Sequence, residues 1–326
     1  MLSNKDKQLS IVYDDFSITV LAVQKDNVEQ GITYQIPLED GVIVQGLIED
    51  EDTLFTILRE AFKKLKLKKY AIRFLAPNNL VFMKKIMVSG QTEPDKSIKD
   101  IVEEKIGDTI QLPFDYPVFD LHDDHSAQGE ISIFAAEKDE ITKWQSIFED
   151  LGHFPEAVDI EILADLRLLE QVMPEFMLGT YLVIDWSKTN LMLAIVQQGN
   201  VEYIKHHKIN TLFKNWEMQK EPDEQLKFEL LDMQQDAYRR ELEIAYEEIK
   251  KAMHFYQFSL NRGSKEIQRI VNTGDHPLLT QITTNLKKEL TIPVNELTQS
   301  DIAKKYPNYD PKYATLLGLA IKEVTK

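Results

Sequence analysis

The chain has 326 residues, 43% of them apolar, no cysteine, and a formal net charge of -16. That length holds two domains of ordinary size, the lack of cysteine excludes disulfide and thiolate chemistry, and an acidic field with no basic stripe argues against a nucleic-acid binder. Residues 1–8 are polar rather than a secretory leader, and no apolar run approaches the roughly 20 residues that span a bilayer, so a soluble, cytoplasmic protein is expected.

The predicted elements fall into two series that open alike. Leu9 to Val23 is an apolar strand, a tight polar turn and a second apolar strand, with a third strand near 30–36. A helix is predicted over 52–67, because Leu54, Phe55, Leu58, Ala61, Phe62 and Leu65 recur three or four apart. Strands at 69–75 and 80–88 follow, with a turn at Pro77 between them and a break over 90–95. Residues 92–152 read as an inserted α+β module: a short helix near 98–106, a segment 112–121 whose Pro113 and Pro117 forbid helix but permit an edge strand, a strand at 131–136 and a helix at 139–151. A strand near 157–160 and a helix at 163–172 return the chain to the first unit, and Pro174 and Gly179 mark its end.

The second series begins at Tyr181 with the same hairpin plan and a third strand reaching His207. The longest predicted helix runs over 224–260 on a stripe of Leu231, Tyr238, Leu242, Ala245, Ile249, Ala252 and Tyr256, a rod approaching ~50 Å at 1.5 Å per residue. A strand at 267–271, a turn at 272–275, a helix to 290, a short strand at 292–294 and a final helix over 311–324 complete the chain. The fold class is α/β with two repeats facing a cleft. The expected units are 8–91 with 153–176 and the returning helix 311–326, the insertion 92–152, a second unit of 177–216 with 263–310, and a long-helix unit over 217–262.

Several residues carry family character: Leu112-Pro113-Phe114-Asp115 before an aromatic strand, Ala135-Ala136-Glu137-Lys138 closing the next one, Gly152-His153-Phe154-Pro155 before Val158-Asp159, the long charged helix followed by Thr273-Gly274-Asp275, and Ala314 to Ala320 near the end. In this order they resemble the PilM family of type IV pilus assembly, within the actin-like ATPases, over nearly the whole chain. The resemblance implies a two-domain actin-like fold built on a ribonuclease H-like repeat, with a small α+β subdomain inserted in the first domain. It also implies a place at the inner face of the cytoplasmic membrane, without insertion into it. The implied partners are the cytoplasmic tail of a PilN-like inner-membrane protein, the pilus motor ATPase and further copies of the chain. The implied partner groove is lined by Leu80, Phe82, Leu112, Phe114, Tyr116 and Phe119. In the plainer reading, Phe114 and Phe119 are core anchors of the small module.

The nucleotide elements of that superfamily are damaged. Glycine in a phosphate turn lets backbone amides close on oxygens, yet Val12 stands in place of the first aspartate, and Asp14 and Asp15 where glycine and serine belong. Two unit charges of one sign ~4 Å apart oppose each other by roughly 4 kcal/mol at an effective dielectric near 20. The second turn keeps Asp185 and Thr189, but Trp186, Ser187 and Lys188 replace the glycine and the turn reads about two residues short; the third element is Thr273, Gly274 and Asp275. Asp14, Ser17, Asp185, Lys188, Thr189, Gly274 and Asp275 are thus the residues of a nucleotide-site remnant, with no catalytic residue among them. No cofactor is expected, magnesium ATP being the alternative.

The plainer reading of Asp185, Lys188 and Thr189 is a polar turn facing water in the cleft. For Gly274-Asp275 it is a turn whose aspartate caps the next helix. His122, Asp123, Asp124 and His125 carry ligand types, but the short spacing and the Ser126 to Gly129 turn favour a solvated loop. His206 and His207 are adjacent on a strand and point to opposite faces. The leading expectation is a scaffold with no chemistry of its own. Its rivals are a slow ATP-driven switch, an FtsA-like membrane-tethered filament former and a sugar kinase, the last needing the glycine turns that are absent.

Overall fold

The computed structural model describes residues 7–24, 27–88, 97–123, 129–222 and 224–324. Strand β1 (Lys7–Tyr13) pairs antiparallel with β2 (Ser17–Gln24), and β2 with β3 (Ile32–Pro37). A short hairpin of β4 (Ile43–Val44) and β5 (Leu47–Ile48) leads to helix α1 (Glu51–Lys64), where Asp50 accepts from the Thr53 amide and Leu54, Leu58 and Phe62 face inward. Strand β6 (Ala71–Leu75) then lies parallel to β1.

Next come β7 (Val81–Met87), α2 (Ile98–Lys105), β8 (Pro117–Asp123), β9 (Glu130–Glu137), α3 (Lys138–Asp150), β10 (Phe154–Asp159) and α4 (Glu161–Val172). β10 closes the first sheet in the order β10-β6-β1-β2-β3, while β7, β9 and β8 make a separate antiparallel sheet with β8 at its edge. Helix α3 sends Trp144, Ile147 and Phe148 into the core beside the first five-stranded sheet. The segment 112–116, expected within the edge strand, precedes it, because β8 begins only at Pro117.

The second half repeats the plan. β11 (Thr180–Trp186), β12 (Asn190–Gln197), β13 (Asn200–Lys208), β14 (Trp216–Lys220), β15 (Leu226–Leu230), α5 (Gln235–His254), β16 (Arg269–Gly274), α6 (Leu279–Glu289), β17 (Val294–Glu296), α7 (Gln299–Ile302) and α8 (Ala314–Ala320) follow in order. The second sheet runs β13-β12-β11-β16-β17, with the same antiparallel and parallel pairings as the first. Two mixed five-stranded sheets of one topology confirm the expected two-domain α/β fold.

The long helix begins later than expected. Residues 226–230 alternate, with Leu226 and Phe228 buried and Lys227 and Glu229 exposed, which is the two-residue period of a strand; they pair with β14 as a hairpin. Helix α5 has 20 residues, about 30 Å, and continues as a π-helical turn over Phe255–Leu260. The helix expected from 224 is therefore replaced by strand and turn as far as Gln234.

Helices α4 and α8 fill the space between the two sheets, in a shared core with Leu21, Val23, Val183, Met192 and Val271. They cross in close contact: a Cβ on Gly318 would lie 1.8 Å from the Ala164 carbonyl oxygen, so only glycine fits. The Arg167 guanidinium donates to Gly318 O (2.8 Å), and that of Arg73 to Ala320 O (2.7 Å). Both hairpin turns point into the cleft beside this crossing.

Candidate functional site

The two hairpins close over segments of equal length, 14–17 between the Tyr13–Ile18 pair and 187–190 between Trp186–Leu191. In the first turn the Asp14 amide donates to Ser17 O at 3.0 Å, and in the second the Ser187 amide donates to Asn190 O at 2.9 Å. Side chains at the first position then accept from amides of their own turns. Asp14 Oδ1 accepts from the amides of Phe16 and Ser17, each at 2.8 Å. Ser187 Oγ accepts from the Asn190 amide at 3.2 Å.

Lys188 is the centre of the site. Its side chain is fully buried, with Nζ 2.6 Å from Asp14 Oδ2 and 3.4 Å from Asp275 Oδ2. The ammonium also lies 4.5 Å from the ring centroid of Phe228 and 5.2 Å from that of Phe16. Burial alone would lower its pKa, but Asp14 and Asp275 more than offset this and hold it above the usual lysine range. The expectation of a turn facing water fails here, because the opposing carboxylate and two aromatic rings give the ammonium a better-matched environment than the open cleft.

Phe16, which the sequence reading did not single out, is 1% exposed and lies in the core of the second lobe. Its ring stacks on Phe213 at 5.0 Å and meets Trp216 and Phe228 edge-on. An aromatic residue inside a polar turn was the available signal. Hairpin β14–β15 roofs this contact, and Gln35 of β3 ties it to the first lobe by accepting from the Leu226 amide at 2.7 Å.

The remaining predicted residues divide. Asp275 does not cap α6, whose first turn has no side-chain cap; its carboxylate faces Lys188 instead. Gly274 has φ +113°, and a Cβ there would lie 2.2 Å from Trp186 O, so it serves the close packing of β16 on β11. Ser17 and Thr189 are buried, and Thr189 Oγ1 accepts from the Asn190 side chain at 3.4 Å. Asp15 turns away from the cleft and accepts from the amides of Gln45 and Gly46 at 2.9 and 3.0 Å.

Behind the turns Asp185 meets Asp165 of α4, where the Thr315 hydroxyl lies 2.7 Å from Asp165 Oδ1 and 3.1 Å from Asp185 Oδ2. Burial pushes the Asp165 carboxyl up to about 7. It raises Asp185 well above the carboxylate range, with Asp165 adding to the effect. Glu161, hydrogen-bonded to the Asn78 amide, is raised by burial and by Asp185. His276, pushed down to about 3 by burial and Lys188, is a neutral peg: it accepts from the Leu278 amide at Nδ1 (2.9 Å) and meets the Tyr238 hydroxyl at Nε2 (2.6 Å). That hydroxyl donates to Lys188 O at 2.8 Å, fixing the second turn.

Beside these groups a cavity of about 730 Å³ remains, reaching outward past Tyr238, Leu242, Tyr246, Ile282 and Asn285. Among the described residues no cluster of three or more His, Asp or Glu side chains is arranged to hold a metal ion. His122 and Asp123 are exposed on β8, Asp124 and His125 lie outside the described residues, and His206 and His207 occupy successive positions opposite Met192 and Leu191.

In the three-stranded sheet Phe82 and Phe119 both pair with Ala135 and so flank it on one face. Leu112 and Phe119 pack on the small core of Val88, Val102, Ile110, Ile131 and Ile133. Leu80 and Phe114 are half-buried, and Tyr116 is 68% exposed beside the edge strand.

The sequence profile of type IV pilus assembly protein PilM matches residues 15–324. The chain belongs to the PilM family. PilM from a PilM–PilN type IV pilus biogenesis complex is similar in structure, with TM-score 0.73 and 15% identity over 98% of this chain and 99% of that one. EutJ, an ethanolamine utilization protein from Carboxydothermus hydrogenoformans, gives TM-score 0.53 and 10% identity over 97% and 89%. MreB5 of Spiroplasma citri bound to ADP gives 0.51 and 12% over 98% and 96%. These likenesses establish the actin-like fold for this PilM-family chain. No curated protein matches it, and among the described residues no helix is long and apolar enough to cross a membrane.

Proposed function

We propose that this PilM-family protein is a docking platform of a type IV pilus machine, or of a related secretion or DNA-uptake machine. It sits peripherally at the inner face of the cytoplasmic membrane, binds the cytoplasmic tail of a PilN-like protein and links that protein to the motor. The observation that carries the reading is the engagement of the phosphate-facing groups within the protein: the turn amides by Asp14 and Ser187, and the cleft cation by Asp14 and Asp275. With the Phe16, Ser17 and Asn190 amides and the buried lysine engaged from within, the frame retains its value as a shaped surface.

Support for the docking side comes from the likeness to PilM of the PilM–PilN complex over nearly the whole of both chains. It also comes from the edge strand β8 with Tyr116 exposed beside it. An unpaired edge offers backbone hydrogen bonds to an extended peptide, and Phe82, Leu112, Phe114 and Phe119 with Leu80 supply the apolar floor. Titration with an N-terminal peptide of the neighbouring PilN-like protein is expected to show binding at tens of micromolar or tighter, weakened several-fold by Tyr116→Ala; silence at that concentration removes the reading.

A second reading, an actin-like switch that binds and slowly hydrolyses ATP, is favoured by the cavity of about 730 Å³ beside the ion triad. Calorimetry with magnesium ATP separates the two. Heat at micromolar ligand followed by phosphate release establishes the switch, and no heat supports the platform.

A further inference from the structure

We propose that the first hairpin turn is an internal ligand of the second lobe, a built-in substitute for a bound phosphate that fixes the two lobes relative to each other with no small molecule. Three contacts carry this. The Asp14 carboxylate sits where an anion would lie in a nest of turn amides, with one oxygen on the amides of Phe16 and Ser17. Its other oxygen crosses the cleft to Lys188 of the second turn at 2.6 Å. Phe16, two residues on, is buried in the second lobe among Phe213, Trp216 and Phe228.

These contacts act in one direction. Lys188 is fully inaccessible, and among the described residues the carboxylates paired with it are Asp14 from the opposite lobe and Asp275 from its own. Parting the lobes would strip Asp14 from a buried cation and draw Phe16 out of an apolar cage, and both steps are unfavourable. A polyphosphate entering the cleft would have to displace the Asp14 carboxylate from the amides and the lysine together. The device is independent of the docking reading: a protein that binds no tail peptide would still hold its lobes in this way.

The test uses the full chain, which lacks cysteine, so two introduced cysteines are the only labelling positions. Glu60 on α1 and Arg240 on α5 are exposed on opposite lobes; spin labels at Glu60→Cys and Arg240→Cys report the interlobe distance by double electron–electron resonance. The nucleotide-free protein is expected to give one narrow distribution that excess magnesium ATP leaves unchanged, and Lys188→Met to broaden and lengthen it. Asp14→Asn, which keeps an oxygen for the turn amides and removes only the charge, gives the same direction with a smaller shift and serves if the lysine variant does not fold. A distribution that is broad without nucleotide and narrows on adding it overturns the proposal. So does a narrow one that neither variant alters.

Discussion

The two hairpin turns are copies of one design that have diverged into complementary halves. Both close over four-residue segments, 14–17 and 187–190, and in both the first side chain takes the last amide. At the second position, however, the first turn has Asp15, which swings outward to the amides of Gln45 and Gly46, and the second has Lys188, which swings inward to Asp14. The first turn contributes an anion and an aromatic ring, and the second a cation. The two turns meet as a plug and a socket, because opposite charges buried in the cleft hold each other when hydrogen bonds and rings complete their shells.

Separating the two halves tests that comparison. Lys188→Met has the largest expected effect, a loss of about 3–5 kcal/mol in urea unfolding, since it leaves the Asp14 and Asp275 carboxylates facing each other unpaired. Adding Asp14→Asn to it is expected to restore part of the loss; a double variant as unstable as the sum of the singles would separate the two turns energetically. Phe16→Ala follows, at about 3 kcal/mol for an aromatic ring removed from a closed core. An effect below about 1 kcal/mol would show that the turn is not anchored in the second lobe.

Behind the turns the expected effect is smaller in size but distinctive in pH. Asp165 is raised from its ordinary 3.8 to about 7, so the folded state favours its protonated form. The resulting stabilisation is full below the ordinary value and lost as pH rises through the raised one. Asp165→Asn should therefore flatten the fall in stability between about pH 4 and pH 7, read by thermal melting across that range. The smallest effect belongs to an exposed ion pair bridging the lobes, Lys64 with Glu224 at 3.8 Å, whose side chains are 69% and 65% exposed. Lys64→Ala is expected to cost no more than about 0.5 kcal/mol and to lose even that in high salt. A comparable cost for the exposed pair and the buried one would mean that burial contributes nothing to the contact.

Residue order and periodicity alone determined the repeat, the α/β class and most element positions. Apolar alternation is local, and the same hairpin plan at Leu9 and Tyr181 is written in adjacent residues. The residues of the two turns, with Asp14 and Asp15 in one and Ser187 and Lys188 in the other, were equally legible. Local reading failed at the start of the long helix, which was carried back to 224 although Leu226 and Phe228, two apart, share a face only in a strand, the register in which Trp216 lies opposite Leu230. The tertiary structure alone decided what the altered turns do. Asp14 and Lys188 lie in different repeats, and only the packing of α4 against α8 between the sheets brings them to 2.6 Å. A charge takes its meaning from its partner and its solvent, and neither is specified by the residues next to it in the chain.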